Sequence, residues 1–141
     1  QQRGRHDLKH RQMEEAGFRL VTSKLLVGDY MMVGGTRVCD TKRSIQEVAS
    51  NIDREHERFR REVVQARDSG YDLTVLVENE HGVASVAGLA AWTEPDDARL
   101  AKAMVTMHER YGVSWAFCAP EDAGRAVVEI LRGEGTWLDR S

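Results

Sequence analysis

The 141-residue chain is short of the residues that mark unusual architectures. It holds two prolines, Pro95 and Pro120, and no stretch rich in Pro, Gly or Ser, so no linker divides it. Internal repeats and low-complexity segments are also missing. Cysteine occurs twice, at Cys39 and Cys118. Both fall in expected strands and read as buried free thiols of a reducing compartment, which excludes a disulfide framework or a cysteine metal site. No apolar run approaches the ~18 residues of a membrane-spanning helix. Gln1-Gln2-Arg3-Gly4-Arg5 contains no apolar signal core. There is no G-x-x-x-x-G-K-[ST] loop, no G-x-G-x-x-G and no G-x-S-x-G, so nucleotide hydrolysis and serine chemistry have no motif to stand on.

What remains is 41% apolar and 30% charged, a composition expected to form one globular domain with a proper core over residues 1–141. The net charge of −3 argues against a strongly basic nucleic-acid binder. Its distribution is uneven: residues 1–70 carry 14 Lys/Arg against 11 Asp/Glu, and residues 71–141 carry 6 against 12. The basic half permits a DNA-binding face without requiring one.

Hydrophobic spacing and punctuation divide the chain. Asp7 to Ala16 reads as a helix ended by Gly17, and Phe18 to Thr22 as extended. Leu25 to Met32 and Arg37 to Lys42 read as strands joined through Gly34-Gly35, a hairpin signal because glycine accepts positive φ. Ser44-Ile45-Gln46-Glu47 is a capping box opening one long helix to about Asp68, with Ile45, Val48, Ala49, Ile52, Phe59 and Val63 at helical spacing. Asp72 to Glu78 is a mostly apolar strand of a sheet interior, followed by a short strand near Val83 to Val86. Pro95-Asp96-Asp97 opens a helix to about Tyr111. Ser114 to Cys118 is a strand, and Pro120-Glu121-Asp122 opens a last helix ending near Gly133. This order predicts an α/β fold, a mixed central sheet flanked by helices.

The chemistry concentrates in Gly28-Asp29-Tyr30 and Val38-Cys39-Asp40-Thr41-Lys42. Strand side chains alternate faces, so Asp40 and Lys42 share one face and Thr41 takes the other. Pairing the two strands brings Asp29 towards Asp40. Two such carboxylates repel unless a cation lies between them. A hard ion such as Mg²⁺ takes oxygen ligands and keeps several waters. One such water serves as a nucleophile while the ion stabilises charge on a phosphate. Lys42 would orient the water or neutralise the transition state, and the Thr41 carbonyl offers a further ligand. The plain alternative is a simple turn followed by an ordinary Asp40–Lys42 ion pair, worth under ~1 kcal/mol if exposed. Against it stands the placement of both acids inside apolar strand patterns, where carboxylates are rarely buried without a partner.

Leu26-Val27-Gly28-Asp29-Tyr30, then Val38 to Ser44, the long helix and Leu73 to Glu78, together resemble the XPF-type nuclease domain of the PD-(D/E)-x-K, restriction-endonuclease-like superfamily. The likeness is strongest over residues 7–80 and points to compact phage and bacterial stand-alone members. It implies a restriction-endonuclease-like core and a Mg²⁺- or Mn²⁺-dependent endonuclease, a hydrolase cutting flapped, branched or junction DNA in repair or recombination. By position it implies that Asp29 and Asp40 are metal ligands and Lys42 the catalytic lysine. Asp40-Thr41-Lys42 stands where the family has Glu-Arg-Lys, and Gln46 where it has an acid; Gln is a common fourth site residue elsewhere in the superfamily. The family's opening Asp-x-Arg-Glu strand is expected to precede Gln1-Gln2-Arg3.

Lys24, Arg37 and Arg43 flank the hairpin and are the candidate phosphate contacts. Arg54, Arg58, Arg60 and Arg61 alternate with acids and read first as an ion-paired helix face. His6 and His10 read as surface residues, Glu14 and Glu15 as a solvated face, and Trp92, Trp115 and Trp137 as core or interface. The expected partners are DNA and either a second copy of the chain or a fused or partner DNA-binding domain, in the cytoplasm of a bacterial or phage-infected cell and away from membranes. The competing reading is a catalytically degenerate module that binds DNA or dimerises in support of an active nuclease.

Overall fold

Seven consecutive residues, Asp72–Glu78, form the strand on which the fold is built. Six of them are buried, because the sheet is covered on both faces. The computed structural model describes residues 20–21, 30–32, 34–54, 56–91 and 95–139. They form a five-stranded mixed sheet in the order β1 (Leu20–Val21), β2 (Tyr30–Met32), β3 (Arg37–Lys42), β4 (Asp72–Glu78), β5 (Ser114–Cys118). The first three strands pair antiparallel, and β3, β4 and β5 run parallel.

The helices are α1 (Ile45–Asp53), α2 (His56–Asp68), α3 (Val86–Ala90), α4 (Pro95–Tyr111) and α5 (Ala123–Leu131). Each parallel step needs a crossover, and right-handed crossovers between successive strands lay their helices on one face. That face carries Val38, Val75, Val77 and Phe117 packed against Ile45, Val48, Phe59, Val63 and Met104. The other face carries Cys39, Leu76, Ala116 and Cys118 under α5, whose Ala126, Val127 and Val128 are buried. Cys39 and Cys118 are both buried and form no disulfide. No helix of the described residues is long and apolar enough to cross a membrane.

Gly34 takes φ +78° in the β2–β3 turn, and the Gly35 N–H donates to the Met32 carbonyl at 2.9 Å. The α1 cap is the expected box with one change. The Ser44 hydroxyl accepts from the Glu47 N–H at 3.1 Å, while the Glu47 carboxylate accepts from the N–H of Arg43, one residue before the cap, at 2.7 Å. The outer edge of β5 is covered by an antiparallel bridge between Ala116 and Leu138.

Three expectations are corrected. The single helix from Ser44 to about Asp68 is two, α1 and α2, broken after Asp53. Asp53, Arg54, His56 and Glu57 are all exposed there, so no apolar side chain ties that turn to the core. The strand near Val83 to Val86 is a loop entering α3, because the Ser85 hydroxyl caps the helix by accepting from the Gly88 N–H at 2.8 Å. The last helix opens as a 3-10 turn, Pro120–Asp122, before α5. Of the strand expected from Leu25 to Met32, Tyr30–Met32 is observed and 25–29 lie outside the described residues. The expected helix from Asp7 to Ala16 lies outside them as well.

Candidate active site

Val38, Asp40 and Lys42 share the face of β3 that looks towards α1 and α2, because strand side chains alternate. In the parallel ladder Asp40 lies opposite Val75 and Lys42 opposite Val77. Both neighbours belong to the core, so an acid and a base stand where the pattern of the sheet calls for apolar residues. The Lys42 ammonium is 3.1 Å from Oδ2 of Asp40, with side chains only 14% and 12% exposed. The ~1 kcal/mol worth of an exposed pair therefore does not describe it. Charges withdrawn this far pay a desolvation cost that their mutual attraction barely repays, and apolar replacements often serve stability better. Stability is thus a poor reason for the pair.

Phe59, buried in the first turns of α2, places its ring under Lys42, with the ammonium 5.8 Å from the ring centre. The aromatic face attracts the cation and narrows its freedom. Sequence spacing identified Phe59 as a core residue; its contact with Lys42 spans 17 positions and leaves no short-range signal.

The remaining site residues are distributed as follows. Thr41 is half-buried on the opposite face of β3. Gln46 is exposed in the first turn of α1, immediately beyond the pair. Arg43 is exposed next to Lys42, and its N–H is held by Glu47. Arg37 lies at the far end of β3, five residues or roughly 16 Å from Lys42. A Cβ at Gly133 would come within 2.6 Å of the Arg37 guanidinium, so that side chain packs against the chain after α5. The structure does not bring Arg37 to the Asp40–Lys42 pair. Asp29 and Lys24 lie outside the described residues, as do His6, His10, Glu14, Glu15 and Trp92.

Among the described residues no group of three His, Cys, Asp or Glu is placed to hold a metal. The donor type present nevertheless suits a hard ion, since Mg²⁺ is commonly held by one or two carboxylates with water completing its shell. Asp40 supplies one.

The arginines of α2 pair largely as a solvated helix face would. Arg58 meets Glu62 at 3.4 Å, Arg60 meets Glu57 at 4.0 Å and Arg67 meets Asp68 at 3.1 Å. Arg60 also donates to the Tyr111 hydroxyl at 3.0 Å, and this bond raises the pKa of its guanidinium above the ordinary value.

Two polar residues at the end of β4 carry no motif. Glu78 is 1% exposed on the α5 face, away from Asp40. Its only sequence signal is an acid closing an apolar strand. Asn79 is buried and organises the following loop. Its amide donates to the Val83 carbonyl at 2.9 Å, and its Oδ1 accepts from the N–H groups of His81 and Val83 at 3.1 and 3.0 Å. Beyond it a cavity of about 580 Å³ opens at the ends of β4 and β5.

No known protein family matches the sequence, and no curated protein does. Among solved structures, the chain is similar to XPF from Aeropyrum pernix, with a TM-score of 0.62 at 16% identity. The match covers 89% of this chain and 60% of that one. The chain therefore has the XPF-type nuclease fold, a restriction-endonuclease-like α/β architecture, and spans about three-fifths of the length of that structure.

Proposed function

We propose that this chain is a divalent-metal-dependent endonuclease that hydrolyses DNA phosphodiester bonds at branched, flapped or junction structures. The carrying observation is the withdrawn Asp40–Lys42 pair, 3.1 Å apart in a nuclease-type fold. Asp29 and Asp40 are assigned as ligands of Mg²⁺ or Mn²⁺, with the Thr41 carbonyl as a further oxygen donor and Gln46 completing the site. Support for Asp29 comes from its neighbour in the chain. Tyr30 pairs with Cys39, Asp29 precedes Tyr30, and Asp40 follows Cys39. One further step of that antiparallel register would set the two acids opposite each other, at the ~5 Å typical of facing strand positions.

A bound ion would supply charge neutralisation and water of lowered pKa. The chain's own part is positional. Asp40 presents a carboxylate on a rigid strand, flanked by Val75 and Val77, with little access for bulk water. Lys42 directs a cation to the same point, steadied by Phe59, and offers N–H donors to an attacking water or a non-bridging phosphate oxygen. Arg43 is exposed on the following residue and suits a flanking phosphate. Lys24 is assigned the same role, while Arg37 is a weaker candidate because of its distance along β3.

Selecting a branched structure calls for contacts to more than one arm of the DNA. A second copy, or a fused or partner DNA-binding domain, is proposed to supply them, in keeping with the three-fifths coverage of the similar structure. Reduced Cys39 and Cys118 suit the cytoplasm of a bacterial or phage-infected cell.

Gln46 in place of an acid favours a second reading, a degenerate module that binds DNA or dimerises beside an active nuclease. Cleavage of labelled single-stranded, duplex, flap and four-way-junction DNA with Mg²⁺ or Mn²⁺ separates the two. Metal-dependent cutting that disappears in Asp40→Asn supports the nuclease; DNA binding without cutting supports the module. Thermal stabilisation by Mn²⁺, lost in Asp29→Asn, tests the ligand assignment without any turnover.

A further inference from the structure

The cavity at the ends of β4 and β5 has a composition unlike that of a phosphate site. Among the described residues that line it there is no Lys, Arg or His. It presents the exposed Glu80 and Glu121, the buried Asn79, Val83 and Phe117, and the half-buried Trp137. Two carboxylates repel a phosphate and accept N–H donors. The half-buried Trp137 adds aromatic surface. At about 580 Å³ the cavity falls within the ~300–1,000 Å³ range of small-ligand sites.

The indole is fixed in place. Its Nε1–H donates to Glu129 at 3.0 Å, and the Arg125 guanidinium lies 5.4 Å from the ring centre. Neither Glu129 nor Arg125 lines the cavity. The floor is held too, because Asn79 binds the backbone of His81 and Val83. A flat aromatic ligand therefore meets a preorganised site and loses little free energy to ordering it.

We propose that this cavity receives one unpaired, amino-bearing nucleobase, adenine, cytosine or guanine, of the strand being cut. The Trp137 indole would contact its ring, and Glu80 and Glu121 would accept from its exocyclic amine. This deepens the nuclease reading and rests on it for the placement of the base. Lys42 pairs with Val77 on β4, and Asn79 lies two residues further along the chain. Their Cα atoms are thus at most roughly 12 Å apart, one or two nucleotide steps in an extended strand. A phosphate at Asp40–Lys42 and a base in the cavity can belong to one single-stranded segment, such as the arm of a flap. Splaying a base into a pocket costs least where it is already unpaired, which gives a physical source of preference for branched DNA.

Two measurements test this. In the first, full-length Asp40→Asn protein is titrated with deoxyadenosine, deoxycytidine, deoxyguanosine, thymidine and inorganic phosphate while the Trp137 indole N–H is followed by NMR. The amino-bearing nucleosides should shift that signal and bind at least about tenfold more tightly than thymidine, with phosphate giving no shift. Removing both exposed acids, Glu80→Ala with Glu121→Ala, should erase the preference. No shift, equal thymidine binding, or binding led by phosphate overturns the proposal. In the second, flap substrates carry an abasic residue at successive positions around the cut. The position one or two nucleotides away should raise KM about tenfold for the wild type with kcat unchanged, and not for the double variant. Wild-type cleavage indifferent to every abasic position overturns the base site while leaving the nuclease standing. Nucleoside binding without any wild-type cleavage keeps the base site and removes the nuclease reading.

Discussion

Asp40, on β3, and Asn79, just past the end of β4, are both polar and buried, yet they are satisfied in different ways. Asn79 spends its amide on its own loop, bonding the backbone of His81 and Val83 through three contacts. The Val83 N–H and carbonyl, on a buried residue, would otherwise stand unpaired, so these bonds are accounted for by folding. Asp40 is paired instead with a charged side chain two residues away. That pair puts two ions into an apolar face, where Val38, Val75 and Val77 show what folding alone would select. Burial therefore does not distinguish a functional polar residue from a structural one. The identity of its partner does: backbone for Asn79, another charge for Asp40.

Variants that exchange the two roles would break this comparison. The largest effect is expected from Asp40→Asn, which keeps size and hydrogen-bonding capacity but removes the anion. Metal-dependent cleavage should fall by about a thousandfold or more, roughly 4 kcal/mol of barrier. Lys42 can swing its ammonium to water on a four-carbon stem, so a cooperative melt should persist with a modest drop in Tm. Cleavage within tenfold of wild type would remove Asp40 from the chemistry. Next comes Asn79→Ala, which strands three backbone contacts and should cost about 2–3 kcal/mol of folding stability in urea titration. The folded variant at low temperature should keep kcat within about threefold of wild type, any effect of the loosened loop falling on KM. A larger loss of cutting than of stability would place Asn79 in the site and erase the contrast.

Phe59→Leu lies between these two. It is a volume-reducing change in a buried position and also removes the aromatic face beneath Lys42. The expected stability loss is about 1–1.5 kcal/mol. If the ring steadies the ammonium for catalysis, kcat should fall about fivefold with KM unchanged. A Phe59→Tyr variant, which retains the ring, should recover most of that rate. Equal kcat in Phe59→Leu and wild type would reduce the ring to packing.

Much of this arrangement could be read from the sequence where the relevant physics is local. Strands Arg37–Lys42, Asp72–Glu78 and Ser114–Cys118 are bounded by turn residues and caps within a few positions, and helix Pro95–Tyr111 starts at a proline. Asp40 and Lys42 are two apart, so strand alternation alone puts them on one face. The break between α1 and α2 was hidden because Ile52 and Phe59 are seven residues apart, close to two helical turns, so the apolar period continues across it. Val83 and Val86 suited a strand end and a helix start equally well, and Ser85 decided between them as a cap. Long-range placement left no comparable trace. The contact of Phe59 with Lys42, the separation of Arg37 from the site, and the cavity between Asn79 and Trp137 all depend on how elements dock.

Glu47 gives the finest test, because it combines features of both residues. It is an acid in the first turn of α1, five residues after Lys42, yet its carboxylate is bonded to the Arg43 N–H at 2.7 Å. In that respect it resembles Asn79, serving backbone. Glu47→Gln retains an oxygen for that bond, and Gln is as well suited as Glu to the third position of a capping box. It should cost less than about 0.5 kcal/mol in stability and leave cleavage within about twofold of wild type. The comparison predicts this small effect from the partner alone, despite the charge and the location. A loss of cleavage approaching that of Asp40→Asn would show that Glu47 leaves the cap when metal binds, and the rule that a residue's partner reveals its role would then fail at the site it was meant to explain.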